Sequence, residues 1–225
     1  FDDLDPFTKE IFNVENLVKK QLSAEMARAF VDLNRPSGQL PPEYPDGVIK
    51  SKTCWGKPIY HSGTNPSVET IEILLRNIYY PYHEALRSAL SVPGIILALD
   101  CHSMAETAPP TAPDRGNKRP LVNLGDLSGK ACDPVITDCL RDSFIKVLGC
   151  SPSEVVINFP FKGGYITRTY GNNPLPWIQV ELNRSLYLAD EWFDREKLSV
   201  DPVRMKELNR QFREVLTDFS RKIID

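Results

Sequence analysis

The stretch Gly94-Ile95-Ile96-Leu97-Ala98-Leu99-Asp100-Cys101-His102-Ser103-Met104 decides the fold. Its apolar run ends abruptly in Asp-Cys-His-Ser, which predicts a buried strand that runs out into a polar loop. A strand buried on both faces implies a covered, mostly parallel sheet, where ligands collect beyond the carboxyl ends of the strands. The sequence therefore predicts a site at Asp100, Cys101, His102 and Ser103.

His102 is the candidate ligand of this site. A neighbouring carboxylate such as Asp100 can orient an imidazole, and neutral imidazole is the commonest metal ligand. The alternative is that His102 only caps a strand end through a satisfied hydrogen bond. This stretch alone leaves both interpretations open.

Further segments predict an α/β domain with a mixed, mostly parallel sheet flanked by helices. Residues 177–183 alternate, which places Glu181 on one face with Gln179 and Asn183. A carboxylate buried there must be paired or functional, whereas on an exposed edge strand it would simply be solvated. Residues 155–159 are rich in β-formers, and residues 121–124 form a possible short strand. Helical spacing marks residues 14–30, a helix beginning at Ser67 and kinked at Pro81, residues 132–148 and residues 202–224.

Two polar groups near the amino terminus are also candidates. Residues 27–36 drift into an alternating pattern, which predicts a strand that leads to Asn34 and Arg35. A planar guanidinium suits bidentate capture of a carboxylate, although a surface arginine paired with a local acid is the alternative. Asp3 and Asp5 are either acids at a helix start or carboxylates that handle a metal or a proton.

Composition excludes several classes of protein. The net charge of −3 argues against general nucleic-acid binding. No apolar run approaches the roughly 20 residues of a membrane span, and no signal-peptide pattern is seen. Five cysteines without a CxxC pair favour reduced thiols in a cytoplasmic protein. We expect one domain over residues 1–225 that lacks part of its native amino terminus, because residue 1 is Phe and not Met.

Six pieces of the chain carry a family resemblance, and they occur in the family order. They are Asp3-Leu4-Asp5 ahead of Ile11-Phe12, Val31-Asp32-Leu33-Asn34-Arg35-Pro36, Pro81-Tyr82-His83-Glu84-Ala85-Leu86, Leu99-Asp100-Cys101-His102-Ser103-Met104, Gly163-Gly164-Tyr165-Ile166-Thr167, and Ile178-Gln179-Val180-Glu181-Leu182 ahead of Leu186-Tyr187. Together they resemble the N-formylglutamate amidohydrolase family of zinc hydrolases, distant relatives of zinc carboxypeptidases and aspartoacylases.

The resemblance implies a zinc-carboxypeptidase-like (phosphorylase/hydrolase-like) architecture with one Zn²⁺ ion. It implies His102 as a ligand, Asp3 or Asp5 as the acidic ligand, and a further His ligand upstream of Phe1. It assigns a substrate carboxylate to Asn34 and Arg35, with help from Arg168. Glu181 is similar to the general base of carboxypeptidase-like sites.

The implied function is zinc-dependent hydrolysis of the amide of a small N-acyl amino acid, such as N-formylglutamate. The expected partner is that small molecule, with no nucleic acid and no membrane. Three alternatives stay open. They are a carboxypeptidase-like peptidase on the same site, a degenerate member that binds a carboxylate or a partner without catalysis, and a hydrolase that uses Cys101 as its nucleophile.

Overall fold

The computed structural model describes residues 3–224, apart from the side chain of Ile224. Its helices are α1 Thr8–Ile11, α2 Val68–Leu74, α3 Tyr80–Leu90, α4 Pro134–Leu148, α5 Tyr165–Tyr170, α6 Ser185–Leu188 and α7 Pro202–Ile224. Its strands are β1 Ala98–Met104, β2 Val122–Gly125, β3 Val155–Ile157, β4 Trp177–Asn183, β5 Phe193–Asp194 and β6 Ser199–Val200. A π-helical turn, Leu75–Tyr79, joins α2 to α3, and a 3₁₀ turn, Pro152–Glu154, precedes β3.

The site is built on a four-stranded sheet with the strand order β1-β4-β2-β3. β1 pairs with β4 and β2 pairs with β3 in parallel, whereas β2 and β4 are antiparallel. The predicted mixed, mostly parallel sheet flanked by helices is therefore confirmed. β5 and β6 form a separate small hairpin.

Alternation of side chains gives this sheet one apolar face and one polar face. The apolar face carries residues such as Val180 and Leu124, which pack into the main core with Phe144 of α4 and Phe212 of α7. We call the opposite side the polar face; it carries Asp100, His102, Gln179, Glu181, Asn183 and Asn123. The burial of the apolar face on two long helices fixes the side on which the polar residues must gather.

The register places three polar residues in one row across the polar face. His102 of β1 lies beside Glu181 of β4, and Glu181 lies beside Asn123 of β2. Cβ atoms that face each other across such strands are about 5 Å apart. The row therefore brings an imidazole, a carboxyl group and an amide together without any loop.

Three local predictions about secondary structure are wrong. Asp100, Cys101, His102 and Ser103 lie within β1 and not in a loop beyond it. Residues 14–30 form turns instead of a helix, because their apolar side chains do not share one buried face: Val14 is buried while Leu17 and Met26 are exposed. Residues 27–36 form turns and not a strand.

The predicted helix start at Ser67 is confirmed, and two further helix boundaries have a clear local cause. Ser67 caps α2 by accepting a hydrogen bond from the backbone N–H of Thr70 at 3.1 Å. Gly149 ends α4 with a φ of 62°. Around Pro81, the second residue of α3, the irregularity takes the form of the π-helical turn that immediately precedes α3.

Candidate active site

The imidazole of His102 lies between two carboxylates. Nδ1 is 3.0 Å from Asp5 Oδ2, and Nε2 is 2.9 Å from Asp100 Oδ1. Ionised carboxylates only accept hydrogen bonds, so these two contacts favour a proton on each ring nitrogen. Burial alone would lower the pKa of His102, but Asp100 and Asp5 outweigh it and raise this pKa well above its ordinary value.

Asn34 holds the Asp100 side of this ring. Its Nδ2 donates to Asp100 Oδ2 at 3.3 Å and lies 3.0 Å from His102 Nε2, while its Oδ1 accepts the backbone N–H of Ile166 at 2.8 Å. Thr167 Oγ1 also donates to Asp100, at 3.4 Å. The amide of Asn34 is thus used within the protein, where it orients Asp100 and His102.

Asp5 is clamped by two arginines. Arg28 NH1 lies 3.5 Å from Asp5 Oδ2, Arg184 NH2 lies 3.4 Å from Asp5 Oδ1, and Ser103 donates through its backbone N–H and its hydroxyl. Burial favours the neutral acid, but Arg28, His102 and Arg184 together hold the pKa of Asp5 well below its usual range. Asp5 is therefore a carboxylate fixed against His102 Nδ1.

Asp3, the other predicted acidic ligand, lies in a different ion-pair group. Its Oδ2 is 3.1 Å from the ammonium of Lys50, a residue with only 1% exposure. Lys50 also pairs with Asp32 at 3.5 Å and with Asp46. Of the two acids, the structure brings Asp5 to His102 and leaves Asp3 with Lys50.

Glu181 differs from the other acids of the site because its carboxyl group has no hydrogen-bond or ion-pair partner among residues 3–224. The residue is 7% exposed on the polar face. Burial raises the pKa of Glu181 to about 7, against an attraction from His102 that lowers it. A carboxyl group poised near neutrality, unpartnered and beside a cation, is suited to accept and return a proton.

The two arginines predicted to meet substrate differ in availability. Arg35 donates to Asp46 through Nε and NH2, at 2.9 and 2.8 Å, and to the carbonyl of Asn34 through NH1 at 3.2 Å. Its guanidinium is thus engaged by a local acid, as the alternative interpretation held. Arg168 is exposed on α5, next to Thr167, and makes no ion pair in the described part of the chain.

A glycine turn closes over the polar face. A Cβ on Gly164 would lie 2.3–2.6 Å from the side-chain amide of Asn34, and a Cβ on Gly125 would lie 2.7–2.9 Å from the backbone of Lys162 and Gly163. Gly163 has a φ of 137°, which side chains rarely tolerate. The glycines of this turn therefore allow its backbone to approach the side chain of Asn34 and the backbone at Gly125 closely.

His83, which lies in one of the six family-like pieces, and Cys101, the alternative nucleophile, both have structural surroundings. His83 is buried, with Nδ1 2.8 Å from the Tyr170 hydroxyl and Nε2 3.0 Å from the Leu33 carbonyl. Cys101 packs against the main core, and burial raises the pKa of its thiol well above the ordinary value. A nucleophilic cysteine needs a lowered pKa, so the structure does not favour the Cys101 mechanism.

Sequence reasoning missed Arg28 and Arg184, which fix Asp5. A weak signal existed for each. Arg28 stands four residues before Asp32, with which it forms an ion pair at 2.9 Å, and Arg184 directly follows the last residue of β4. Neither signal identifies Asp5 as the shared partner. The Arg28 signal points to Asp32, and the Arg184 contact joins residues 179 positions apart.

The His102 end of the site opens into a cavity of about 680 Å³. Asp5, Arg28, Asn34, Asp100 and His102 line it, with apolar walls from β1, α7 and the turns of residues 14–28. Glu181 is not part of this lining. Within residues 3–224 no helix is long and apolar enough to cross a bilayer.

The donors at His102 are fewer than a catalytic zinc ion uses. His102 Nδ1 and Asp5 Oδ2 face each other, and Asp100 holds the other ring nitrogen as an outer carboxylate does for metal-bound histidines. Catalytic zinc usually has three protein ligands. No group of three His, Cys, Asp or Glu side chains able to hold a metal occurs among the described residues.

The sequence model of one family, N-formylglutamate amidohydrolase, matches residues 1–188. The chain belongs to this family. It is 33% identical over 177 residues to the N-formylglutamate deformylase of Pseudomonas putida, a match that covers 75% of this chain and 64% of that protein. The N-formylglutamate deformylase of Pseudomonas aeruginosa is 32% identical over 190 residues, covering 79% and 67%. The chain thus spans about two thirds of the length of these relatives.

The fold is shared with solved structures. The crystal structure of N-formylglutamate amidohydrolase from Ralstonia eutropha JMP134 superposes with a TM-score of 0.72 at 20% identity, over 98% of this chain and 83% of that one. A gene product of Agrobacterium tumefaciens superposes with a TM-score of 0.56 at 15% identity, over 89% and 70%. At these identities the likeness establishes the fold alone.

The buried carboxyl group of Glu181 predicts a pH-dependent cost to stability. Its folded pKa of about 7 lies above the ordinary 4.5, so its contribution to stability falls as pH rises through that window. Glu181→Gln removes the ionisable group. We expect it to raise the free energy of unfolding by about 3 kcal/mol at pH 8 and by less than about 1 kcal/mol at pH 5.

Urea denaturation at both pH values measures this difference. Glu196→Gln, at an exposed position, is the matched control and should be neutral at both. An equal effect of Glu181→Gln at pH 5 and pH 8 would show that Glu181 is not a buried acid of raised pKa.

Proposed function

We propose that this chain is an N-formylglutamate amidohydrolase, which hydrolyses the formamide bond of N-formylglutamate to formate and glutamate. The observation that carries the proposal is the unpartnered, buried carboxyl group of Glu181 beside the charged ring of His102. The names of the two Pseudomonas relatives support the choice of substrate.

In the proposed mechanism Glu181 moves one proton. As a carboxylate it accepts a proton from a water molecule while the water oxygen attacks the formyl carbon. As an acid it then gives that proton to the amide nitrogen, and the C–N bond breaks. The negative charge that develops on the formyl oxygen is stabilised by positive charge on the His102 side of the site, since preorganised charge is most effective in a buried site.

Substrate carboxylates require cations that the protein itself has not already paired. Arg168 meets this condition, because it is exposed beside the Thr167–Asp100 contact and carries no ion pair among residues 3–224. The predicted roles of Asn34 and Arg35 in carboxylate binding remain proposals. Their contacts support a more indirect role, since Asn34 orients the site and Arg35 is held by Asp46.

Zinc dependence is part of the proposal. His102 Nδ1, which would release its proton on binding a metal, and Asp5 Oδ2, now 3.0 Å apart, would hold the ion, whose charge would replace that of the ring. A third ligand would come from outside the described residues. A bound zinc ion lowers the pKa of its water and polarises a carbonyl. Asp100 would then keep its present role of orienting the ring through Nε2.

The proposal also covers the domain organisation, the kind of substrate and the cellular location. We propose that residues 1–225 form one domain with a zinc-carboxypeptidase-like architecture, acting on a small molecule and not on nucleic acid. A cytoplasmic location agrees with five cysteines that are all free thiols.

Turnover of N-formylglutamate by Glu181→Gln tests the mechanism. We expect kcat to fall by about 10²–10⁴-fold, the usual contribution of a general base, while the variant stays folded. In the parent protein kcat/KM should rise with pH and reach half its plateau near pH 7, because the base form of Glu181 is required.

Glu196→Gln is the control and should retain full activity. A panel of N-formyl, N-acetyl and dipeptide substrates completes the test. A Glu181→Gln variant of normal activity would contradict the mechanism, and a preference for dipeptides would replace the substrate by a peptide.

Metal content tests the zinc proposal without a rate measurement. Asp5→Asn should weaken zinc binding by at least about tenfold, because it removes a donor that faces His102. Asp3→Asn, which alters the Lys50 group instead, should leave zinc binding unchanged. Equilibrium dialysis with zinc and elemental analysis would distinguish the two, and a larger loss in Asp3→Asn would reverse the assignment.

A further inference from the structure

Arg168 alone can balance only one of the two negative charges of the proposed substrate. The proposed substrate, N-formylglutamate, carries two carboxylates, one beside the scissile amide and one at the end of its side chain. Ionised carboxylates bind most strongly to charge-assisted donors. This inference rests on the proposed function and asks which residue binds the second carboxylate.

Most cations around His102 are already committed to acids of the protein. Arg28 pairs with Asp32 and Asp5, and Arg184 pairs with Asp5. Lys50 and Arg35 are both engaged by Asp46. Lys19 and Lys20 of the cavity wall and Lys162 of the glycine turn are exposed and have no ion pair among residues 3–224. The side chain of Lys19 lies near Gly94, ahead of β1, whereas the backbone of Lys162 packs against Gly125 on the polar face.

The backbone of Lys162 is held firmly although its ammonium is free. Its carbonyl accepts the backbone N–H of Leu127 at 2.7 Å, and its carbonyl carbon lies 2.7 Å from where a Cβ on Gly125 would stand. The preceding residue, Phe161, is fixed through its carbonyl by Asn123 Nδ2 at 2.9 Å and through its ring by Arg119 at 4.8 Å. The fixed backbone limits the ammonium to positions within reach of the lysine side chain from this turn.

The base of the Lys162 side chain lies near the reacting centre. Gly125, over which Lys162 lies, pairs with Gln179, and Gln179 stands two residues before Glu181 on the same face. Two residues along a strand span about 7 Å. A substrate whose formamide lies at Glu181 can therefore extend its side chain toward the glycine turn.

We infer that Lys162 binds the side-chain carboxylate of the substrate, and so selects N-formyl amino acids with an acidic side chain. The flexible stem and compact charge of lysine suit the terminal carboxylate, whereas the planar guanidinium of Arg168 suits a carboxylate fixed beside the scissile bond. Lys162 is thus a specificity residue that acts on binding and takes no part in proton transfer.

The test compares N-formyl-L-glutamate with N-formyl-L-glutamine, which has the same shape without the charge. In Lys162→Met the KM for N-formylglutamate should rise tenfold to a hundredfold, as expected for a lost charge-assisted contact, with kcat changed by less than about threefold. The KM for N-formylglutamine should not change. Lys162→Arg should restore most of the preference, and Lys130→Met, at an exposed lysine outside the turn, should have no effect.

An equal change for both substrates, or no change for either, would overturn the role of Lys162 while leaving the hydrolase proposal intact. A parent protein that hydrolyses neither substrate would instead contradict the hydrolase proposal. Calorimetry with L-glutamate and L-glutamine then decides about Lys162. A preference for glutamate that Lys162→Met abolishes supports the site, and equal binding of the two amino acids overturns it.

Discussion

The contact of His102 with two carboxylates is the interaction on which the site depends. Asp100 comes from the same strand, whereas Asp5 comes from the beginning of the chain, 97 residues away. Because ionised carboxylates only accept hydrogen bonds, both contacts favour a ring that carries two protons and a positive charge. These two contacts thus fix the orientation of the ring and favour its charge, and the contact with Asp5 also positions the amino-terminal segment.

The cost of this arrangement is offset by a second layer of charges. Buried ions are tolerated when they are paired and hydrogen-bonded, and Asp5 is held by Arg28 and Arg184. Asp100 is held by Asn34 and Thr167. Glu181 lacks such partners, so ionisation of its buried carboxyl group lowers the stability of the folded protein. This is the place where the proposed reaction needs a proton acceptor. Natural proteins commonly accept such a loss of stability at functional sites.

The parts of the fold that depend on local patterning could be predicted from sequence. Alternation in β4 identified the face shared by Gln179 and Glu181, and α4 and α7 followed from helical spacing. The turns of residues 14–34 could not be predicted, because their apolar spacing is helical although the side chains do not share one buried face. At the end of this segment, Arg28 and Asp32 pair with Asp5 and Lys50. For Asp5 and Asp3 the sequence offered two equivalent acids. The choice between them depends on Arg184 and Lys50, which lie far along the chain.

The charge state of His102 is the most direct test of the account. Nitrogen-detected NMR of the metal-free protein, with ¹⁵N-labelled histidine, reports the protonation of each ring nitrogen. We predict that both ring nitrogens of His102 stay protonated at pH 8, well above the ordinary histidine pKa, and that Asp5→Asn makes the ring titrate at lower pH. A neutral His102 ring at pH 8 in the parent protein would contradict the account.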